Sequence, residues 1–289
     1  MAIKKHFVIL FSVVLLSTFS ASAAQEYTKR SYSQVPQYFE KIGLDDDLMN
    51  QFNGDSITTA IISPLAVDEG NLRILNGQVD GETGIAPGVE IIPYIGKLDR
   101  YSPVIQNAIQ VDQARIVAIY VNNYNIGHLA QYKQDWFQNA AVVVRAGDHY
   151  SDNRVQAIRR AVPAPRFNNL IITVGVNEKG ELNPTSRSCG FARTFCVAIP
   201  ASGYTTPTPS AVAGALALLM QAEPEIKDPA VFVQALLSTA SNSQNPSEET
   251  GVGIIHVGRA LEALLAEKQK NLSKPGFFRS IYDRFFLWH

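Results

Sequence analysis

Short apolar runs separated by longer mixed stretches dominate the middle of this chain. Ile57-Thr58-Thr59-Ala60-Ile61-Ile62 is apolar and β-branched, and it ends at Ser63-Pro64. Ala114–Val121, Ala140–Val144 and Leu170–Val176 have the same character. Runs of this length without polar alternation suit strands buried on both faces. Tyr101–Gln113 and Leu129–Asn139 read as helices, the second with Trp136 and Phe137 on its buried side. Val212–Gln221, rich in Ala and Leu, predicts a long central helix, and Pro229–Ala240 a second. Near the start, Val35–Phe39 and Leu44–Met49 predict short helices packed at an edge. Strands alternating with helices predict an α/β fold with a mostly parallel central sheet.

A chain of 289 residues accommodates one domain of this class with a core large enough to stand alone. The formal net charge of −1 gives no reason to expect a nucleic-acid partner. Residues 1–23 read as a secretory signal peptide. Lys4 and Lys5 precede an apolar run, Phe7–Leu16, and Ala21-Ser22-Ala23 offers small residues for cleavage. The apolar core is shorter than the roughly 20 residues that a comfortable span requires. An uncleaved anchor is the alternative. Export to the periplasm or beyond is therefore expected. Only two cysteines occur, Cys189 and Cys196, and in an exported chain such a close pair predicts a disulfide. Two free thiols are the alternative. No further Cys and no nearby His completes a zinc site, and no cofactor is implied.

Several segments resemble one family. Gly84-Ile85-Ala86-Pro87-Gly88-Val89 is similar to a Gly-Val-Ala-Pro-Gly-Ala segment. Cys196-Val197-Ala198-Ile199-Pro200-Ala201 is similar to an Ala-Pro-Gly turn. Gly203-Tyr204-Thr205-Thr206-Pro207-Thr208-Pro209-Ser210-Ala211-Val212-Ala213-Gly214 resembles Gly-Thr-Ser-Met-Ala-Thr-Pro-His-Val-Ala-Gly. Gly251–Leu261 resembles Gly-Xaa-Gly-Xaa-Ile-Asn-Val-Xaa-Xaa-Ala-Leu, with His256 at the asparagine, where it reads as structural. These are motifs of the subtilases, the subtilisin-like serine proteases, and the cysteine placement is most similar to exported bacterial members. The resemblance implies a three-layer αβα fold over residues 54–265. A lead-in over 24–53 would precede it, and an aromatic and basic tail over 266–289 would follow.

The resemblance fails where the chemistry should be. The family's nucleophilic serine falls on Thr205, and the aspartate that ends the first catalytic strand falls on Ser63. Arg145-Ala146-Gly147-Asp148 stands in place of Ala-Ala-Gly-Asn, so Asp148 replaces the oxyanion-donating asparagine. An ionised carboxylate only accepts hydrogen bonds and would repel an oxyanion, so Asp148 is expected to pair with Arg145. About 20 residues separate Ser63 from Gly84, and no histidine occurs between His6 and His128. The Gly-His-Gly-Thr-His motif and part of its helix are missing.

The expected function is that of an exported, catalytically inactive homologue binding a peptide or protein in the former substrate cleft. One alternative is an active, divergent endopeptidase using Thr205, with His128 or His149 brought to it as base. Another is interaction with a membrane surface or partner through the tail. There Phe277, Phe278, Ile281, Tyr282, Phe285 and Phe286 recur at helical spacing with Arg279 and Arg284 between them. Arg154, Arg159, Arg160 and Arg166 read as a solvated face, with binding of an acidic partner as the alternative.

Overall fold

In the computed structural model the apolar runs become strands of one sheet. The structure describes residues 38–63, 72, 74–77, 84–95, 101–120, 135–147, 168–184, 186–201 and 208–271. The signal-peptide segment, His128, His149, Asp148, Thr205, the arginines at 154–166 and the aromatic tail residues all lie outside the described residues.

The strands are β1 (Thr58–Ser63), β2 (Glu90–Ile95), β3 (Ile116–Ile119), β4 (Ala141–Arg145), β5 (Leu170–Val176) and β6 (Cys196–Pro200). They lie in the order β2-β1-β3-β4-β5-β6, and every neighbouring pair is parallel. The helices are α1 (Tyr38–Lys41), α2 (Asp46–Gln51), α3 (Tyr101–Gln110), α4 (Thr208–Ala222), α5 (Pro229–Thr239) and α6 (Val257–Asn271). Among the described residues no helix is long and apolar enough to cross a membrane.

Both faces of the sheet are covered, which is why the strands carry continuous apolar runs. Ile61, Ala118, Val143, Ile171 and Val197 face the core formed with α4, α5 and α6. Their neighbours Ile62, Val117, Val144, Ile172 and Ala198 face the opposite core, with Ile105 and Ala108 of α3. Burying each large aliphatic or aromatic side chain contributes about 1.5–3 kcal/mol. The result is the predicted three-layer αβα arrangement.

Several expectations change in detail. Residues 38–53 are more than a lead-in, because Phe39, Ile42, Leu44 and Met49 are buried in the first core. Asp45 caps α2 by accepting the Leu48 N–H at 2.8 Å. The expected helix ending at Asn139 closes as a 3₁₀ turn, Asp135–Asn139, with Phe137 buried. Asn169 fastens that turn, donating from Nδ2 to the carbonyls of Phe137 at 2.8 Å and Ala140 at 2.7 Å. Cys196–Pro200 is a strand rather than a turn, because it bonds on both sides. It pairs with β5, and on its outer side Ala198 N–H donates to Gly253 O at 2.9 Å while Val252 N–H donates to Cys196 O at 2.8 Å. The central helix starts four residues before Val212, at Thr208, with Pro209 tolerated in its first turn. The last helix runs to Asn271, past the expected boundary at 265.

Cys189 and Cys196 form the expected disulfide, and both are buried. They bracket a 3₁₀ helix, Gly190–Phe195. Gly251 packs against this clasp with a φ of +62°. A Cβ there would lie 2.0 Å from the Cys196 carbonyl oxygen and 2.9 Å from the Cys189 Sγ. Only glycine fits that position.

At the other end of the sheet, Pro93 sits inside β2. Glu90 N–H donates to Ile57 O of the β1 side, so the nitrogens of Ile91, Pro93 and Ile95 point outward by alternation. The proline therefore removes no bond from the ladder.

Candidate functional site

In an open parallel sheet, ligands bind beyond the carboxyl ends of the strands, where the strand order reverses. That point here lies at β1 and β3, because the chain leaves β1 for β2 on one side and returns to β3 on the other. The carboxyl ends carry Ser63, Tyr120, Arg145 and Val176, and the first turn of α4 carries Thr208 and Ser210.

Alternation decides which of these face the helix. Ile61, Val143 and Ile171 point to the α4 side, so Ser63, Arg145 and Thr173, two residues on, do the same. Two hydroxyl pairs then join sheet to helix. Thr173 Oγ1 and Thr208 Oγ1 share a hydrogen bond of 2.8 Å, fully buried. Tyr120 Oη and Ser210 Oγ share one of 2.5 Å, also buried. Burial pushes the Tyr120 phenol well above its ordinary value, against the opposing influences of the Ser210 hydrogen bond and the nearby Arg145 charge. The phenol therefore stays neutral while sharing its hydrogen bond with Ser210.

Arg145 is only 5% exposed at the end of β4, and Arg187, 7% exposed, donates its backbone N–H to Gly147 O at 3.1 Å. Two arginines thus flank the position where Ala146-Gly147 leads out of the sheet. Ser63 is 8% exposed at the end of β1. These described positions offer hydroxyls, a phenol and guanidinium groups. None is a carboxylate or an imidazole. Among the described residues no group of three His, Cys, Asp or Glu side chains could hold a metal ion.

Ser63 is the last residue of β1, at the carboxyl edge of the sheet. Asp148 and Thr205 follow and precede described residues, Gly147 and Thr208, and their own positions are outside the described set. His256, read as structural, is the N-cap of α6. Its Nδ1 accepts the Arg259 N–H at 3.2 Å, and its carbonyl accepts the first helical bond from Ala260 at 3.0 Å. Sequence reasoning missed the hydroxyl pairs. A lone Thr173 in an aliphatic strand and a Tyr120 at the end of another were the only signals, and neither names its partner.

No family model matches the sequence, and no curated protein sequence matches it. Solved structures do resemble the fold. The PatG macrocyclase in complex with peptide superposes with a TM-score of 0.61 at 16% identity, covering 80% of this chain and 98% of that one. The prenylagaramide maturation protease PagA gives 0.58 at 16% identity, covering 80% and 99%. Fervidolysin from Fervidobacterium pennivorans, a keratinolytic enzyme related to subtilisin, gives 0.56 at 19% identity, covering 83% of this chain and 47% of that one. The fold is subtilisin-like, and these neighbours include proteases and a macrocyclase.

Proposed function

We propose that this chain is an exported protein of subtilisin-like fold that has given up peptide hydrolysis. It holds an extended peptide or protein segment at the carboxyl edge of its sheet. The observation that carries this reading is Ser63 at the end of β1. A serine-protease mechanism needs a carboxylate to orient and stabilise the imidazolium that forms as the nucleophile loses its proton. A serine hydroxyl supplies no such charge. The missing histidine motif and the threonine at position 205 point the same way. Removing triad members lowers turnover by about a millionfold in subtilisin itself, the enzyme on which that scale rests.

Other features support the remainder of the reading. The architecture beneath the cleft is kept, with α4 buried and its first turn pinned to β3 and β5 by hydroxyl pairs. The Cys189–Cys196 disulfide suits an oxidising compartment, in keeping with the apolar leader. The PatG neighbour is a macrocyclase in complex with peptide, so the fold accommodates a peptide.

The test uses purified chain, a fluorophosphonate probe, casein and a peptide library. The expected result is no labelling and no turnover, together with saturable binding of a subset of peptides. Labelling or turnover that disappears in Thr205→Ala would overturn the reading in favour of a divergent hydrolase with His128 or His149 as base.

A further inference from the structure

We infer that His256 is a pH-sensitive latch that fastens the corner between α1 and α2 to the start of α6. Three features of the geometry converge on this residue. As N-cap it accepts the Arg259 N–H on Nδ1, so its single proton in the neutral ring sits on Nε2. Its ring fills the space over Gly43, where a Cβ would come within 2.1 Å of Nδ1, and Gly43 holds a φ of +72°. The next two residues then dock the corner by backbone bonds. Val257 N–H donates to Ile42 O at 2.8 Å and Gly258 N–H donates to Gly43 O at 3.1 Å.

Protonation undoes this arrangement in two ways. An imidazolium has no lone pair on Nδ1, so the capping bond is lost. It also places a positive charge at the positive end of a 15-residue helix. The charged groups that face the ring are Arg259 and Glu262 of α6 and Asp45 before α2. Burial is the largest influence and, with Arg259, holds the imidazole below its ordinary value, while the two carboxylates pull the other way. The folded state thus prefers the neutral ring. Its contribution is fully present above the ordinary histidine value and is lost as the pH falls below it. Lys41, at the end of α1, reaches the carbonyl of Glu178 at 3.5 Å, two residues beyond β5.

The experiment is amide hydrogen exchange at Val257, Gly258 and Arg259 between pH 7.5 and 5, corrected for intrinsic rates, with NMR titration of the His256 ring. In the wild type, protection at these three amides is expected to fall severalfold over that range, and the ring to titrate below the ordinary histidine range. His256→Asn keeps a neutral cap, so it should match the wild type at pH 7.5 and show no such fall. His256→Ala should lose protection at both ends of the range. An asparagine variant with the wild-type pH dependence would overturn the latch, as would a ring titrating at or above the ordinary value. Loss of capping at pH 7.5 in the asparagine variant would overturn it as well.

Discussion

The phenol of Tyr120 and the hydroxyl of Ser210 share a 2.5 Å hydrogen bond across 90 residues of sequence. It joins the end of β3 to the first turn of α4, beside the segment that precedes the helix. Tyr120→Phe removes this partner from a buried hydroxyl at almost constant shape. The expected cost is about 1–2 kcal/mol in urea unfolding. Ser210→Ala added to Tyr120→Phe should cost less than the sum of the two single changes, because the pair is already broken. Strict additivity would show that the bond contributes nothing.

Thr59 gives the opposite case. It is fully buried on the α4 side of β1, and its hydroxyl has no hydrogen-bond partner. Thr59→Val keeps the β-branch and removes the unsatisfied group. Stability is expected to rise by about 1 kcal/mol, read as a higher denaturation midpoint at unchanged slope. A destabilised Val variant would show that the hydroxyl is satisfied in solution.

Gly251→Ala should be severely destabilising. The added carbon meets the Cys196 carbonyl in a left-handed backbone conformation. A loss above about 2 kcal/mol is expected from combined strain and displacement of β6. Replacing both cysteines by alanine should cost about 2–3 kcal/mol through the freed loop alone. Thermal unfolding under oxidising and reducing conditions separates the two effects, since only the first persists after reduction.

Lys268 donates to Glu223 at 2.8 Å, and the Glu223 side chain is almost wholly buried while Lys268 is open to water. The hydrogen bond and the charge of Glu223 raise the Lys268 value above the ordinary one. A raised lysine contributes stability that is fully present below the ordinary lysine value and lost as the pH rises through the folded one. Alkaline titration of unfolding should therefore show a decline above the ordinary lysine range that Lys268→Met lacks. An unchanged alkaline limb would show that the pair is uncoupled.

The sheet was legible from the chain because strands covered on both faces carry short aliphatic runs rich in β-branched residues, unlike the longer Ala- and Leu-rich run of α4. Ile57–Ile62 and Ala140–Val144 became β1 and β4 nearly as read. The start of α4 was not legible in the same way. Thr208 and Pro209 look like turn residues, and only burial beneath the rest of the helix makes them helical. Cys196–Pro200 resembled a turn because its own residues do not show that it is bonded on both sides. The candidate site divides similarly. Ser63 could be placed by counting to the end of a strand. Tyr120 with Ser210, and Thr173 with Thr208, are pairings across 90 and 35 residues that periodicity cannot name. His256 was read as structural from its motif, and its capping role emerged only when the ring met Gly43.

Pro93 carries a last consequence. A sheet that stops at an outermost strand exposes a template on which another copy could stack sideways into fibre. Here the middle rung of that template has no hydrogen to offer, so a second chain arriving along β2 finds its ladder interrupted after one step. Among the described residues β2 is the outermost strand, so this proline leaves the outward row of that strand without its middle donor, at no expense to the fold.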